Sequence, residues 1–111
     1  MIKLDKDFNP EMIDEEIEYE FHPAINYTRI NSTNGSLVFT KTRMYVFYDP
    51  QIRLLYPPRY YEISEIDKCE KFGLFGAGLL IYMKDGDKLR LSNVGKKMRE
   101  GIEEAIAAGR K

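Results

Sequence analysis

The pattern that most restricts the fold is an alternation of apolar and polar side chains, with period two, in short runs. In the first run, Ile17, Tyr19 and Phe21 alternate with two glutamates and a histidine. Such alternation is typical of strands that have one buried face. Further β-branched and aromatic runs follow at 25–30, 37–40, 43–48, 60–66, 79–84 and 88–92. The chain therefore predicts a mainly β fold of about seven short antiparallel strands.

Turn signals separate several of these runs. Asn34-Gly35 and Asp85-Gly86 both accept positive φ, as the type I′ turn of a two-residue hairpin requires. Both pairs therefore predict hairpin turns. Leu54–Tyr56 predicts a short edge strand, because Pro57-Pro58 cannot sit inside a hydrogen-bonded ladder.

The last segment changes to the helical period. Apolar residues recur on one face of a helix, at Val94, Met98, Ile102, Ala105 and Ile106. Ser92 or Asn93 is the predicted N-cap of this helix. Small antiparallel barrels have open ends, and an amphipathic helix must bury its apolar stripe, so we expect the helix to close one end. The prediction is a single domain over 1–111, with an N-terminal lead-in at 1–16, a β barrel at 17–92 and a capping helix at 93–109.

Charge and cysteine content limit the partners and the compartment. Seventeen basic residues face eighteen acidic ones, and the net charge of −1 argues against a nucleic-acid binder. The single cysteine excludes an internal disulfide framework. Neither a secretory signal nor an apolar run long enough to cross a bilayer is visible, so we expect a cytoplasmic protein.

Residues that could support catalysis are few. His22, the only histidine, stands before Pro23, and Cys69 has no histidine near it in the sequence. A solvated histidine and a buried thiol are the simpler interpretations. One histidine and one cysteine cannot form a four-ligand structural zinc site. The glycines at 73, 76 and 78 lack the spacing and the following helix of a phosphate loop. We therefore expect neither an enzyme nor a cofactor or metal site.

The stretch from Gly35 to Phe47 combines a glycine, an apolar strand, a threonine, a turn, an arginine and a second apolar strand. Together with Tyr61–Ile66 and the hairpin around Asp85-Gly86, it resembles the pleckstrin-homology-like (PH-like) superfold, and within it GRAM-type and bacterial PH-like domains. The resemblance covers roughly residues 13–108. It implies a small barrel with one terminal helix, used as an interaction module.

Phosphoinositide-binding members of that superfold place lysines and arginines in the loop between their first two strands. Here the predicted loop is His22–Ala24, with no basic residue before Arg29. That departure argues against binding of inositol phosphates. Lys41 and Arg43 lie at another predicted turn, where they are either scattered solvated charges or part of a binding surface.

Two aromatic segments are candidate interaction sites. Leu74 and Phe75 lie in a glycine-rich loop, where they either insert into a membrane or a partner's groove, or fold back over the barrel mouth. Tyr56, Arg59 and Tyr60 flank the proline pair, and tyrosine and arginine are enriched at interface hot spots. The alternative is that these tyrosines pack on the barrel.

The predicted function is a non-enzymatic module that binds a protein or peptide through strand edges and aromatic loops. The alternative is a peripheral membrane module that uses the glycine-rich loop and nearby basic residues to bind lipid. A homodimer formed by pairing the predicted edge strand at Leu54–Tyr56 about a two-fold axis is a further prediction.

Overall fold

A computed structural model describes residues 2–73 and 77–110, and these residues form nine strands and one α-helix. The strands are β1 (Ile2–Lys3), β2 (Tyr19–Phe21), β3 (Ala24–Asn26), β4 (Ser32–Phe39), β5 (Arg43–Tyr48), β6 (Arg59–Glu62), β7 (Ile66–Phe72), β8 (Gly78–Met83) and β9 (Lys88–Ser92). The helix α1 spans Lys96–Gly109. Short 3₁₀ helices occupy Pro10–Met12, Pro50–Ile52 and Ile63–Glu65.

All strand pairs are antiparallel, and their order is β1-β6-β5-β4-β3-β9-β8-β7. The strand β4 belongs to both halves of this bent sheet. Its first half pairs with β3 and its second half with β2, because the chain breaks at His22-Pro23 between these two strands. One half of the sheet is β1, β6, β5, β4 and β2, and the other is β4, β3, β9, β8 and β7. The predicted mainly β fold with one terminal helix is confirmed.

The core lies between the two halves of the sheet and is closed by α1. Alternate residues of the strands, such as Leu37, Val46, Ile81 and Leu91, are fully buried there. The helix adds its apolar stripe to the same cluster, with Ile102, Ala105 and Ile106. None of the described helices is long and apolar enough to cross a membrane.

The N-cap of α1 is Gly95, so the predicted caps Ser92 and Asn93 are wrong. Ser92 is the last residue of β9, and Asn93 turns the chain with a left-handed φ of 54°. Val94 then enters the core, and its N–H donates to the carbonyl of Ala77 over 2.8 Å. Because this anchored residue follows the turn, the helix begins only after it.

The hairpin at Asp85-Gly86 is confirmed, and the one at Asn34-Gly35 is wrong. Gly86 adopts φ 94° in the turn between β8 and β9. Asn34 and Gly35 instead lie inside β4. A Cβ at Gly35 would meet the side chain of Ile25 at 2.6 Å and the carbonyl of Phe47 at 2.7 Å. Glycine suits this position because Ile25 and Phe47 on the adjacent strands come too close for a side chain. The turn itself lies earlier in the sequence, between β3 and β4.

The predicted edge strand at Leu54–Tyr56 is also wrong. These residues form a turn after the 3₁₀ helix Pro50–Ile52, and the N–H of Tyr56 donates to the carbonyl of Ile52 over 2.9 Å. The edge of β6 is paired with β1 instead. Because this segment is not a strand, it cannot form the predicted strand pairing about a two-fold axis.

The chain before β2 crosses the outer face of the first half-sheet. We call residues 4–15 the N-terminal segment. Leu4, Phe8 and Ile13 pack on an apolar cluster of Val38, Tyr45, Phe47 and Tyr60. At its end, Glu15 accepts hydrogen bonds from the hydroxyls of Thr42 (2.6 Å) and Thr40 (2.9 Å). These bonds lower the pKa of Glu15. The predicted lead-in is thus an ordered cover of one sheet face.

Candidate functional site

An open cleft lies at the end of the barrel away from α1. It has a volume of about 1160 Å³. Three parts of the chain enclose it: the turn between β3 and β4, the segment Leu55–Pro57, and the start of β9. Since α1 follows the end of β9, the helix and the cleft occupy opposite ends of that strand.

The β3–β4 turn is made by Tyr27–Asn31. The Oγ1 of Thr28 accepts hydrogen bonds from the N–H groups of Asn31 (3.0 Å) and Ile30 (3.4 Å). A threonine hydroxyl that bonds to the following backbone stabilises such a turn locally. Arg29 and Ile30 are exposed within it. The first hairpin loop therefore does contain a basic residue, and the predicted loop at His22–Ala24 is wrong.

Three tyrosines line one side of the cleft. The ring centroid of Tyr56 lies 5.0 Å from that of Tyr27 and 5.9 Å from that of Tyr48. These tilted arrangements are favourable aromatic contacts. Tyr56 is therefore held by its neighbours, and it presents part of its surface to the cleft.

Arg59 lies at the base of the cleft. Its Nη2 donates to the hydroxyl of Tyr48 over 2.8 Å, and its guanidinium lies 5.6 Å from the centre of that ring. Burial raises the pKa of Tyr48, although the charge of Arg59 opposes this. The tyrosine therefore stays neutral at physiological pH and keeps a polar group at the base of the cleft.

Further cations stand around the opening. Arg29 comes from the β3–β4 turn, and Lys88 and Arg90 are exposed alternate residues of β9. The guanidinium of Arg90 lies 4.3 Å from the centre of the Phe72 ring, which limits its freedom. Positive side chains from two separate elements thus surround a partly aromatic cleft. Such a site favours a ligand with negative charge.

The opening also has an apolar rim, formed by Ile30 and Leu55, which both line the cleft. Their exposed fractions are 88% and 76%, in that order. Large apolar side chains with this exposure, next to a binding cleft, indicate an interaction surface.

The predicted interaction residues fall into separate places. Tyr56 and Arg59 line the cleft. Tyr60 lies on the outer face of the first half-sheet, where the guanidinium of Arg43 is 4.4 Å from its ring centre. Arg43 also forms an ion pair with Glu62, at 3.1 Å between Nε and Oε1. The exposed Lys41 lies in the nearby β4–β5 turn.

Leu74 and Phe75 lie outside the described residues. The sequence analysis did not single out Arg29, because the predicted loop between the first two strands, His22–Ala24, lies too early in the chain. It also did not single out Lys88 and Arg90. A prediction that treated His22-Pro23 as a break within one strand would have put Arg29 in the first hairpin loop. The alternation of Lys88 and Arg90 with buried leucines also marks one exposed face.

His22 and Cys69 line no part of the cleft. His22 lies on an exposed strand surface, with Nδ1 3.1 Å from the Oγ of Ser36 and Nε2 3.0 Å from Oε2 of Glu20. Cys69 is half-buried in β7, and burial raises the pKa of its thiol to about 11. Its thiol is therefore protonated at neutral pH and a poor nucleophile.

The arrangement of strands, terminal helix and open-ended barrel is that of the PH-like fold, which comparison with solved structures confirms. Comparison of the sequence with protein-family models and with curated proteins gives no match. The fold is therefore recognised from the structure, and the narrower GRAM-type assignment stays a prediction.

Two solved structures illustrate the likeness. The C-terminal domain of an unknown protein from Leishmania infantum matches with a TM-score of 0.70 and 16% identity, over 92% of this chain and 91% of that domain. The C-terminal PH domain of pleckstrin, in complex with D-myo-Ins(1,2,3,5,6)P5, matches with a TM-score of 0.67 and 15% identity. That match covers 89% of this chain and 100% of that domain.

Proposed function

We propose that this chain is a peripheral membrane module that binds a phosphate-bearing lipid headgroup in the cleft. The observation that supports the proposal is the combination of Arg29, Lys88 and Arg90 with the exposed rim at the same opening. Cations near an anionic bilayer surface each contribute about 1 kcal/mol of binding free energy. Apolar side chains beside them add affinity by entering the interfacial region.

The ligand class is also supported by the solved structure of the same fold. The pleckstrin domain is described in complex with an inositol pentakisphosphate. This chain has a basic cleft that suits the same chemistry, and its first hairpin loop contains Arg29. The proposed role is binding, without catalysis, on the cytoplasmic side of a membrane.

Vesicle co-sedimentation tests the proposal directly. We expect binding to vesicles of phosphatidylcholine with a phosphoinositide, weaker binding with phosphatidylserine, and none with phosphatidylcholine alone. Added salt should weaken the binding, because exposed charges are screened. The double variant Lys88→Gln/Arg90→Gln should bind roughly 30-fold more weakly, since two cations are lost. The matched control Lys96→Gln/Lys97→Gln changes two exposed lysines on α1.

The rim is tested separately from the charges. Ile30→Ser/Leu55→Ser should lose vesicle binding but keep its affinity for soluble D-myo-Ins(1,2,3,5,6)P5, measured by calorimetry. This separation tells a lipid surface from a free inositol phosphate. Failure to bind any vesicle, or equal losses in the α1 control, would contradict the proposal. Binding of a peptide partner, the function favoured from the sequence, would then be the function to pursue.

A further inference from the structure

The cleft wall, residues 49–58, is held from outside by the N-terminal segment. The N–H of Leu4 donates to the carbonyl of Pro58 over 2.6 Å. Lys6 and Asp7 form a shallow recess together with Pro50, Arg53 and Leu54 of the wall. The wall therefore has the cleft on one side and the N-terminal segment on the other.

Aromatic packing links the same two parts of the chain. The ring of Phe8 lies almost parallel to those of Tyr45 (6.2 Å) and Phe47 (6.0 Å). The guanidinium of Arg53, in the wall, lies 5.8 Å from the centre of the Phe47 ring. Arg53 Nε also donates to the carbonyl of Tyr48 over 3.4 Å. Phe47 is thus in contact with the N-terminal segment and with the wall.

The wall packs on the main core through Ile52 and Tyr56, but the residues between them make few buried contacts. Leu54 and Leu55 bury little of their surface. The amides of Leu55 and Tyr56 bond to the carbonyl of Ile52, within the wall itself. Segments with few buried contacts open locally at low free-energy cost. The position of Leu55 therefore also depends on the N-terminal segment, which contacts the other side of the wall.

We infer that the N-terminal segment regulates the cleft by holding its wall in place. When the segment is seated on the outer face, the wall keeps Tyr56 and the rim in position for a ligand. When the segment is displaced, the wall opens more often and the affinity of the cleft falls. This inference rests on the proposed function only for its effect on affinity, because the coupling itself exists without ligand.

Hydrogen exchange of the full chain without ligand tests the coupling. Phe8→Ala removes the stacked ring and should raise exchange at Ile13, in the N-terminal segment, and at Leu55 and Tyr56 by roughly tenfold. The amides of β8, in the second half-sheet, should not change and serve as the internal reference. The matched control Met12→Ala alters an exposed side chain of the same segment and should change none of these amides.

If Phe8→Ala does not fold, Thr42→Val gives the same test, because it removes one hydrogen bond that holds Glu15. Faster exchange in the N-terminal segment with unchanged exchange at Leu55 and Tyr56 would overturn the inference. Calorimetry with D-myo-Ins(1,2,3,5,6)P5 is the second measurement, and we expect a several-fold loss of affinity in Phe8→Ala. If the wild type does not bind this probe, the proposed function fails while the exchange result still decides the coupling.

Discussion

The hydroxyl of Tyr61 donates a hydrogen bond of 3.0 Å to Oδ2 of Asp87, and this contact joins β6 to the β8–β9 hairpin. Tyr61 is only 1% exposed, so water does not reach its hydroxyl to take the place of Asp87. Tyr61→Phe should lower the free energy of unfolding by about 1.5 kcal/mol, because a hydrogen bond to a charged group typically contributes about that much to stability. Urea unfolding followed by circular dichroism measures this change.

The matched control for that variant is Tyr82→Phe, which removes a hydroxyl from the outer face of the second half-sheet. It should shift the urea midpoint much less. Equal shifts in the two variants would show that the link between Tyr61 and Asp87 adds nothing to stability.

Stability should fall in alkaline solution because two tyrosines are buried. Burial raises the pKa of Tyr61 and of Tyr48 above the ordinary value of 10.0. A group whose pKa is raised in the folded state contributes stability below its unfolded pKa and loses it as the pH rises above that value. The urea midpoint should therefore decrease above about pH 10. Phenolate absorbance should stay incomplete until the circular dichroism signal is lost, and a complete native titration near pH 10 would contradict this.

Cys69 should react slowly with thiol reagents. Burial, together with a smaller effect of the Glu103 carboxylate, raises the pKa of its thiol from 9.0 to about 11. At pH 8 the thiolate fraction is then roughly 100-fold smaller than for an ordinary thiol. Reaction with a chromogenic disulfide reagent should be slower by at least that factor than in urea. Glu103→Gln should speed the native reaction, and a native rate equal to the unfolded rate would exclude the effect of burial.

Gly35→Ala should destabilise the fold, although alanine suits a strand better than glycine does. The added methyl group would meet the side chain of Ile25 and the backbone carbonyl of Phe47, and the carbonyl cannot easily move. Overpacking of this kind typically costs about 1–3 kcal/mol. Thermal unfolding followed by circular dichroism measures the loss.

Asn34→Ala is the control for that substitution, because Asn34 is exposed on the same strand. Because Asn34 is an exposed residue of a strand, we expect this substitution to change the melting temperature little. If Asn34 and Gly35 formed a hairpin turn, both variants would destabilise the protein. A large loss in Asn34→Ala would therefore contradict the register of β4.

Local patterns in the sequence were sufficient for most of the fold. The apolar and aromatic runs that form β5, β8 and β9, the helical period of α1 and the turn at Gly86 depend on neighbouring residues, and each is confirmed. Gly35 was misinterpreted because glycine serves two purposes. It permits positive φ in turns, and it permits close approach of neighbouring chain segments, and only the packing partners distinguish these.

The cleft could not be predicted because its parts are distant in the sequence. Arg29, Tyr48 and Lys88 meet only after β3 has paired with β4 and β9. Residue type alone identifies Tyr56 and Arg59. Arg43 and Tyr60 lie on the outer face of the first half-sheet, and Lys41 lies in the nearby β4–β5 turn. The sequence also does not reveal that the N-terminal segment is ordered, because its contacts with Tyr45 and Phe47 are tertiary.

The pairing of β3 with β9 has a consequence for how the protein is made. Ala24 lies opposite Ser92, about 70 residues later in the chain. During synthesis, β3 can pair with β4 early, but its other edge stays open until β9 has left the ribosome. The nascent chain must therefore carry an unfinished, aggregation-prone strand edge until residue 92 has left the ribosome, and the sheet can be completed only after that point.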